Sequence, residues 1–415
     1  MITDPYQDEK NYDPAAREAE RAEITHLLSN INIPALVSRA SDLRNGMPCS
    51  LPRNLGYDRS TRSLVTGGMN YHIEIQFEDG VVWLARIRRN NATSPPLDLQ
   101  RYIMRSEIAT LQFLRKTKIP APEVFDYNFE KGPVGVEYIL MEKMAGKSLR
   151  WSLATSEQRT KVISQLVDVY AELQRYPFEL MGSLDQPGTD HVGPFAWESL
   201  TDYIDSRMRP IGPLTSSRGF WTAYLRLTLD FIMRRERYST CPVDAYLIHR
   251  FLLDCVPNLF SSHDADGPFY LKHADDKGDH ILVDDDYNIT GIVDWEWAHT
   301  DCPSVAFNSP ILLLPVAEFY DGAAMPGEDE LHFAQFLEDK GHGNIAEKVR
   351  NGRAIHLFNF CSGYDLADWD GFVGLFYGLR RALDPGDNLD WDGWKEKAMS
   401  IYKDDTQLKE LLSTK

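Results

Sequence analysis

The stretch from Tyr270 to Pro303, YLKHADDKGDHILVDDDYNITGIVDWEWAHTDCP, constrains the fold of this chain more than any other segment. Two short apolar runs, Ile281 to Val283 and Ile289 to Val293, flank the turn residues DDDYN and spell an antiparallel hairpin. Polar, reactive side chains gather at the open end of that hairpin. His273 and Asp275 lie on the loop that enters it, His280 follows five residues after Asp275, and Asp294 leaves the second strand just before Trp295. A lone His-x-Asp is common, but the whole ordered set is not. Aspartates that only cap turns are the competing explanation. A calcium loop is excluded: counted from Asp284, the sixth position, which needs Gly, is Ile289, and the twelfth, which needs Glu, is Trp295.

Upstream, the hydrophobic period changes from two residues to that of a helix and back. Tyr71, Ile73, Ile75 and Phe77 alternate with polar residues, Asp79-Gly80 supplies a turn, and Val81 to Arg88 reads as a second strand. Arg101 to Lys118 reads as a helix, followed by the Pro-broken loop KIPAPEV and a strand from Val136 to Met141. On that helix Glu107 falls inside the stripe of Ile103, Met104, Ile108, Leu111 and Leu114, where a carboxylate calls for a buried cationic partner. Beyond Gly146 the pattern is mostly helical, opening with a capping box at Thr155 to Gln158. The expected organisation is a helical and loop leader over 1–62, a small antiparallel-sheet lobe over 63–145, and a helical lobe over 146–415 that holds the catalytic loop 273–301.

Bulk properties narrow the partners. A chain of 415 residues exceeds what one core usually serves, so two lobes are expected. Its 44 basic and 62 acidic side chains leave a net charge of -18, which argues against nucleic acid or an anionic membrane as partner. The N-terminal MITDPYQDEKNYD has charges where a secretion signal needs an apolar core, and the longest apolar run, Ile311 to Ala317, is too short to span a bilayer. Five scattered cysteines, Cys49, Cys241, Cys255, Cys302 and Cys361, fit reduced thiols. A cytoplasmic protein is the expectation.

The segment around His273, Asp275, Asp294 and Trp295 resembles the catalytic region of the aminoglycoside phosphotransferase and choline kinase family. The phrase ITGIVDWEWA is especially like the fungal members, and SEIATLQFLRKTKIPAPEV extends the likeness into the first lobe. The resemblance covers about residues 63 to 305. It implies an α+β, protein-kinase-like bilobal fold and ATP-dependent phosphorylation of a hydroxyl on a small molecule. In this family Asp275 would orient the attacking hydroxyl beside His273, and Asp294 would hold Mg²⁺. Arg86, in Leu84-Ala85-Arg86-Ile87, would contact ATP phosphates and pair with Glu107, with Arg88 on the same face as a substitute. Gly67 and Gly68 would let backbone N–H groups approach the phosphates, although an ordinary turn explains them equally well. The YILMEKMAGKSL segment resembles the hinge, so backbone near Glu142 and Met144 would meet the adenine.

One position departs from the family. His280 stands where the family has Asn, and imidazole suits Mn²⁺ better than Mg²⁺. A degenerate or repurposed protein that binds nucleotide or metabolite without transfer is therefore the alternative. Protein substrates are not indicated, because no APE-like segment follows Trp295. No local motif marks the acceptor-binding residues. The family shapes that site with second-lobe helices, here Trp197 to Leu259 and Phe333 to Tyr402, while Glu296 and Asp301 lie near the loop.

Overall fold

The computed structural model describes residues 14–52, 55–56, 69–91, 94–204, 206–260, 266–366 and 368–413. The chain forms two compact units, one drawn from Met1–Arg101 and Ala121–Met144, the other from Tyr102–Pro120 and Ala145–Lys415.

The first unit is built on a five-stranded antiparallel sheet. Its strands are β1 (Cys49–Ser50), β2 (Asn70–Phe77), β3 (Val82–Arg88), β4 (Val124–Asn128) and β5 (Tyr138–Glu142), in the order β1-β2-β3-β5-β4. The alternation of β2 is realised: Tyr71, Ile73, Ile75 and Phe77 are all buried. They share a core with Trp83, Ala85 and Ile87 of β3 and with Ile24, Leu36 and Ala40 of two helices, α1 (Pro14–Ser29) and α2 (Ile33–Leu43). Since strand residues alternate, Arg86 and Arg88 point to the other face. Arg89, just past β3, forks onto Glu23 of α1 with two bonds of 2.8 Å, and Arg39 of α2 forks onto Asp126 of β4 at 2.8 and 2.7 Å. These bidentate pairs fasten both helices to the sheet.

Some boundaries differ from those read in the sequence. The helix expected from Arg101 to Lys118 is α3 (Leu97–Leu114). It starts just after Pro95-Pro96, and the Lys116 and Thr117 N–H groups bond three residues back, tightening its end into turns. β4 begins at Val124, where the loop KIPAPEV was expected to continue, because its partner β5 supplies the ladder. The last strand runs from Tyr138 to Glu142 rather than from Val136.

The second unit is mostly helical. Its helix α4 (Ser156–Leu173) begins with the expected capping box: Thr155 Oγ1 accepts the Gln158 N–H and Gln158 Oε1 accepts the Thr155 N–H. The hairpin is present as Ile281–Val283 against Ile289–Ile292, with Lys147–Ser148 as a third strand. Asp284 caps its turn by accepting the N–H groups of Asp286 and Asn288. Gly146 makes the third strand possible, since it adopts φ 111° and a Cβ there would sit 2.4 Å from Thr290 Oγ1 and 2.9 Å from the Val283 carbonyl. No helix among the described residues is long and apolar enough to cross a membrane.

Candidate active site

The loop carrying His273 and Asp275 is closed at its base by pairing of Tyr270–Lys272 with His299–Asp301, so both ends of the motif segment are held together. Val293 then clasps the loop from within. Its carbonyl lies 2.9 Å from His273 Nε2, and its N–H donates to the His280 carbonyl at 2.9 Å. His273 Nδ1 accepts the Asp275 N–H at 3.2 Å. A ring that accepts at Nδ1 and faces a carbonyl at Nε2 must be neutral with its proton on Nε2. Burial agrees, pushing the His273 pKa below the ordinary value. Thus His273 fixes the backbone that presents Asp275.

Asp275 is partly exposed, and its Oδ2 lies 2.8 Å from Lys277 Nζ, which is also 3.8 Å from Asp279. Sequence reading passed over Lys277, although its place two residues after Asp275 was visible. The neighbouring Asp276 is turned inward. Burial would raise its pKa, but Lys272 Nζ at 2.9 Å and the Ile311 N–H at 3.0 Å hold the carboxyl below its usual range. Leu312 N–H also donates to the Asp276 carbonyl, so this residue pins the 311–313 turn to the loop.

Asp294 is exposed at the end of the hairpin with φ 62°, and Trp297 has φ 64°. A left-handed conformation at a non-glycine residue costs roughly 1–3 kcal/mol and persists only where surroundings enforce it. Here Trp295 anchors the turn, fully buried, with Nε1 donating to the Ile292 carbonyl at 2.8 Å and its ring edge-on to His273. Trp197 Nε1 donates to the Trp297 carbonyl at 2.7 Å.

His280 is buried. Its ring stacks on His273 at 4.2 Å, its Nδ1 accepts the Gly278 N–H at 3.3 Å, and burial drives its pKa down to about 3. It shares a small cavity of about 40 Å³ with Leu166, Tyr170 and Ile292. Among the described residues no group of three or more His, Cys, Asp or Glu side chains is arranged to hold a metal. The donor set of His280 and Asp294 does not fit Mg²⁺, which requires about six oxygens in octahedral array.

The residues expected at a nucleotide site sit as follows. Arg86 is buried on β3, between His72 and Ile139 in the ladder. Glu142 ends β5, its N–H donating to the Glu123 carbonyl, and among the described residues no hydrogen bond engages the Met144 backbone. Glu107 is buried on the part of α3 that belongs to the second unit. Gly67 and Gly68 lie outside the described residues.

A second feature had no local signature. A cavity of about 530 Å³ opens in the helical unit, reaching Lys272, Ala274 and Asp276 on the His273–Asp275 loop. Its walls come from stretches as distant as Phe195 and Asp365, Asp301 among them.

A small antiparallel-sheet unit and a helical unit, with a His-x-Asp loop ahead of a hairpin and an aspartate behind it, make up the protein-kinase-like fold. The chain belongs to the phosphotransferase enzyme family, whose profile matches residues 83–305, more than half of its length. Two curated relatives are subtelomeric hrmA-associated cluster proteins from two strains of Aspergillus fumigatus. Each is 33% identical over 162 residues, 38% of this chain and only 29% of the relative's length. The chain is also similar to the streptomycin-ATP ternary complex of APH(2")-IIa, with TM-score 0.46, 10% identity and coverage of 84% of this chain and 97% of that one. For APH(4)-Ia with AMP-PNP and hygromycin B the TM-score is 0.46, the identity 12% and the coverages 86% and 99%.

Proposed function

We propose that this protein transfers the terminal phosphoryl group of ATP to a hydroxyl of a small molecule. The observation that carries the reading is the loop itself. A neutral His273 fixes the Asp275 backbone, and the residues flanking Asp275 line a 530 Å³ cavity of acceptor size. Asp275 takes the proton of the acceptor hydroxyl as its oxygen bonds to the γ-phosphorus. The bond from that phosphorus to the β–γ bridging oxygen breaks, and ADP leaves. Lys277, 2.8 Å from Asp275, pairs with this carboxylate until the hydroxyl displaces the contact. Arg86, Glu107 and the backbone at Glu142 and Met144 are the assigned nucleotide-site residues, with Gly67 and Gly68 as further candidates. No step is routed through a metal, for which His280 and Asp294 alone are a poor donor set.

The test is ATP consumption over a metabolite extract, comparing the native protein with Asp275→Asn. Loss of a positioned general base should lower acceptor-dependent ADP formation by roughly 10²-fold or more, with ATP binding by calorimetry retained. Equal turnover by the two proteins would refute the assignment. A second reading is favoured by His280: a cleft that binds nucleotide or metabolite without transfer. It predicts ATP binding with no acceptor-dependent ADP from any fraction.

A further inference from the structure

The cavity beside the catalytic loop has the wrong chemistry for a polyamine. A sugar bearing several ammonium groups needs several available carboxylates, and three line this space. Asp276 is neutralised by Lys272 and takes the Ile311 N–H. Asp301 accepts the Cys302 N–H at 2.7 Å and faces His299 Nε2 at 3.5 Å. That leaves Asp365. The walls are instead aromatic, with Trp197, Phe220, Trp221, Tyr320, Phe360 and Tyr364 around the opening. These rings pack edge to face among themselves, Phe220 with Trp221 at 5.0 Å and Tyr320 with Phe360 at 6.4 Å, and so form a rigid frame.

Arg237 is the unmatched charge. It lines the same cavity 5.1 Å from the Tyr238 ring, its polar neighbours there are the Tyr224 and Tyr238 hydroxyls, and no salt bridge to it is found among the described residues. Its Nη1 is buried without a hydrogen-bond partner, as is Trp221 Nε1. A buried donor left without an acceptor costs about 1–3 kcal/mol, so this end of the cavity carries a positive charge and donor dipoles that favour an anion beside the guanidinium.

We infer that the occupant is a ring-bearing alcohol or phenol of mostly apolar framework, carrying one anionic group, such as a carboxylate, that meets Arg237. The rings stack on the aromatic walls and the anion offsets the guanidinium. The inference rests on the acceptor role proposed for this cavity, but its test needs no ATP.

Calorimetry on the full chain without nucleotide would use three probe sets: hydroxybenzoate, hydroxynaphthoate and hydroxyanthracene-carboxylate; their methyl esters; and kanamycin. At least one hydroxyaryl acid should bind saturably and its ester roughly tenfold or more weakly, the scale of one charge-assisted hydrogen bond. Kanamycin should give no saturable heat. Arg237→Gln should abolish the acid-over-ester preference, and Arg237→Lys should keep part of it. Tyr320→Ala should weaken acid and ester alike, a separate check should Arg237→Gln unfold. Kanamycin binding as tightly as the acids, no binding by any acid, or a preference that survives Arg237→Gln in a folded protein would each overturn the inference. Binding of an acid that is never phosphorylated would sink the transferase reading alone, whereas transfer to kanamycin would sink the acceptor class alone.

Discussion

At the scale of single residues, the site turns on imidazoles that hold loops rather than move protons. His273 spends both ring nitrogens on the backbone of its own loop, and His280 stacks on it with Nδ1 occupied. The sequence expectation for His280 was a shift of metal use toward Mn²⁺. Its buried placement leads to a different expected outcome for His280→Asn: unchanged preference between Mg²⁺ and Mn²⁺, with a loss of stability of about 1–2 kcal/mol from the vacated stack. Activity titrated with each metal, beside a urea melt, checks this, and a gain in Mg²⁺-dependent turnover would restore the metal-ligand role. His273, Asp275 and Asp294 were legible as candidates because they sit within one continuous segment whose order carries the information. Lys277 was equally near, but a lysine two residues from an aspartate looks like solvated surface until the loop curls it back.

At the scale of elements, the hairpin and the short strand before it form the frame for the chemistry. Lys147–Ser148 pairs with Ile281–Val283, Thr290 Oγ1 donates to the Ala145 carbonyl, and Leu149 N–H donates to the Ile281 carbonyl at 2.8 Å. Gly146→Ala puts a side chain at φ 111° and against the Val283 carbonyl, so that strand must peel away. A left-handed position alone costs a non-glycine residue about 1–2 kcal/mol, and the clash adds to it. The expected result is a melting temperature lowered by several degrees and a fall in any transfer activity, with acceptor binding to the helical unit retained. The elements themselves were readable where one face is dry, as for β2, α4 and the hairpin. β4 was missed because VFDYN has little alternation of its own, and only the partner strand β5 makes it a strand. α3 was shifted because helix ends are set by local caps, which apolar periodicity does not record.

At the scale of the whole molecule, buried bases set the response to acid. Burial pushes the pKa of His249 down to about 4 and that of His356 to about 3, both below the ordinary 6.5. On acidification the unfolded chain therefore binds these protons first. Their contribution is intact above pH 6.5 and is lost as pH falls from there toward 3–4, at about 1.4 kcal/mol per pH unit for each histidine. Urea midpoints measured from pH 7.5 to 4.5 should fall accordingly, and His356→Gln should make the decline shallower by one histidine's share. The large cavity was not foreseeable, since its lining is gathered from stretches between Phe195 and Asp365. That gathering separates two kinds of novelty in descent. The family profile ends at residue 305, yet Tyr320, His356, Phe360 and Tyr364 stand beyond it. A lineage can rewrite residues 311–365, and with them part of the cavity's aromatic wall, while leaving Arg237 and the His273–Asp275 loop untouched. Exchanging that segment with a relative's should change which ring frameworks bind, and leave both the preference for the acid over its ester and the affinity for ATP where they were.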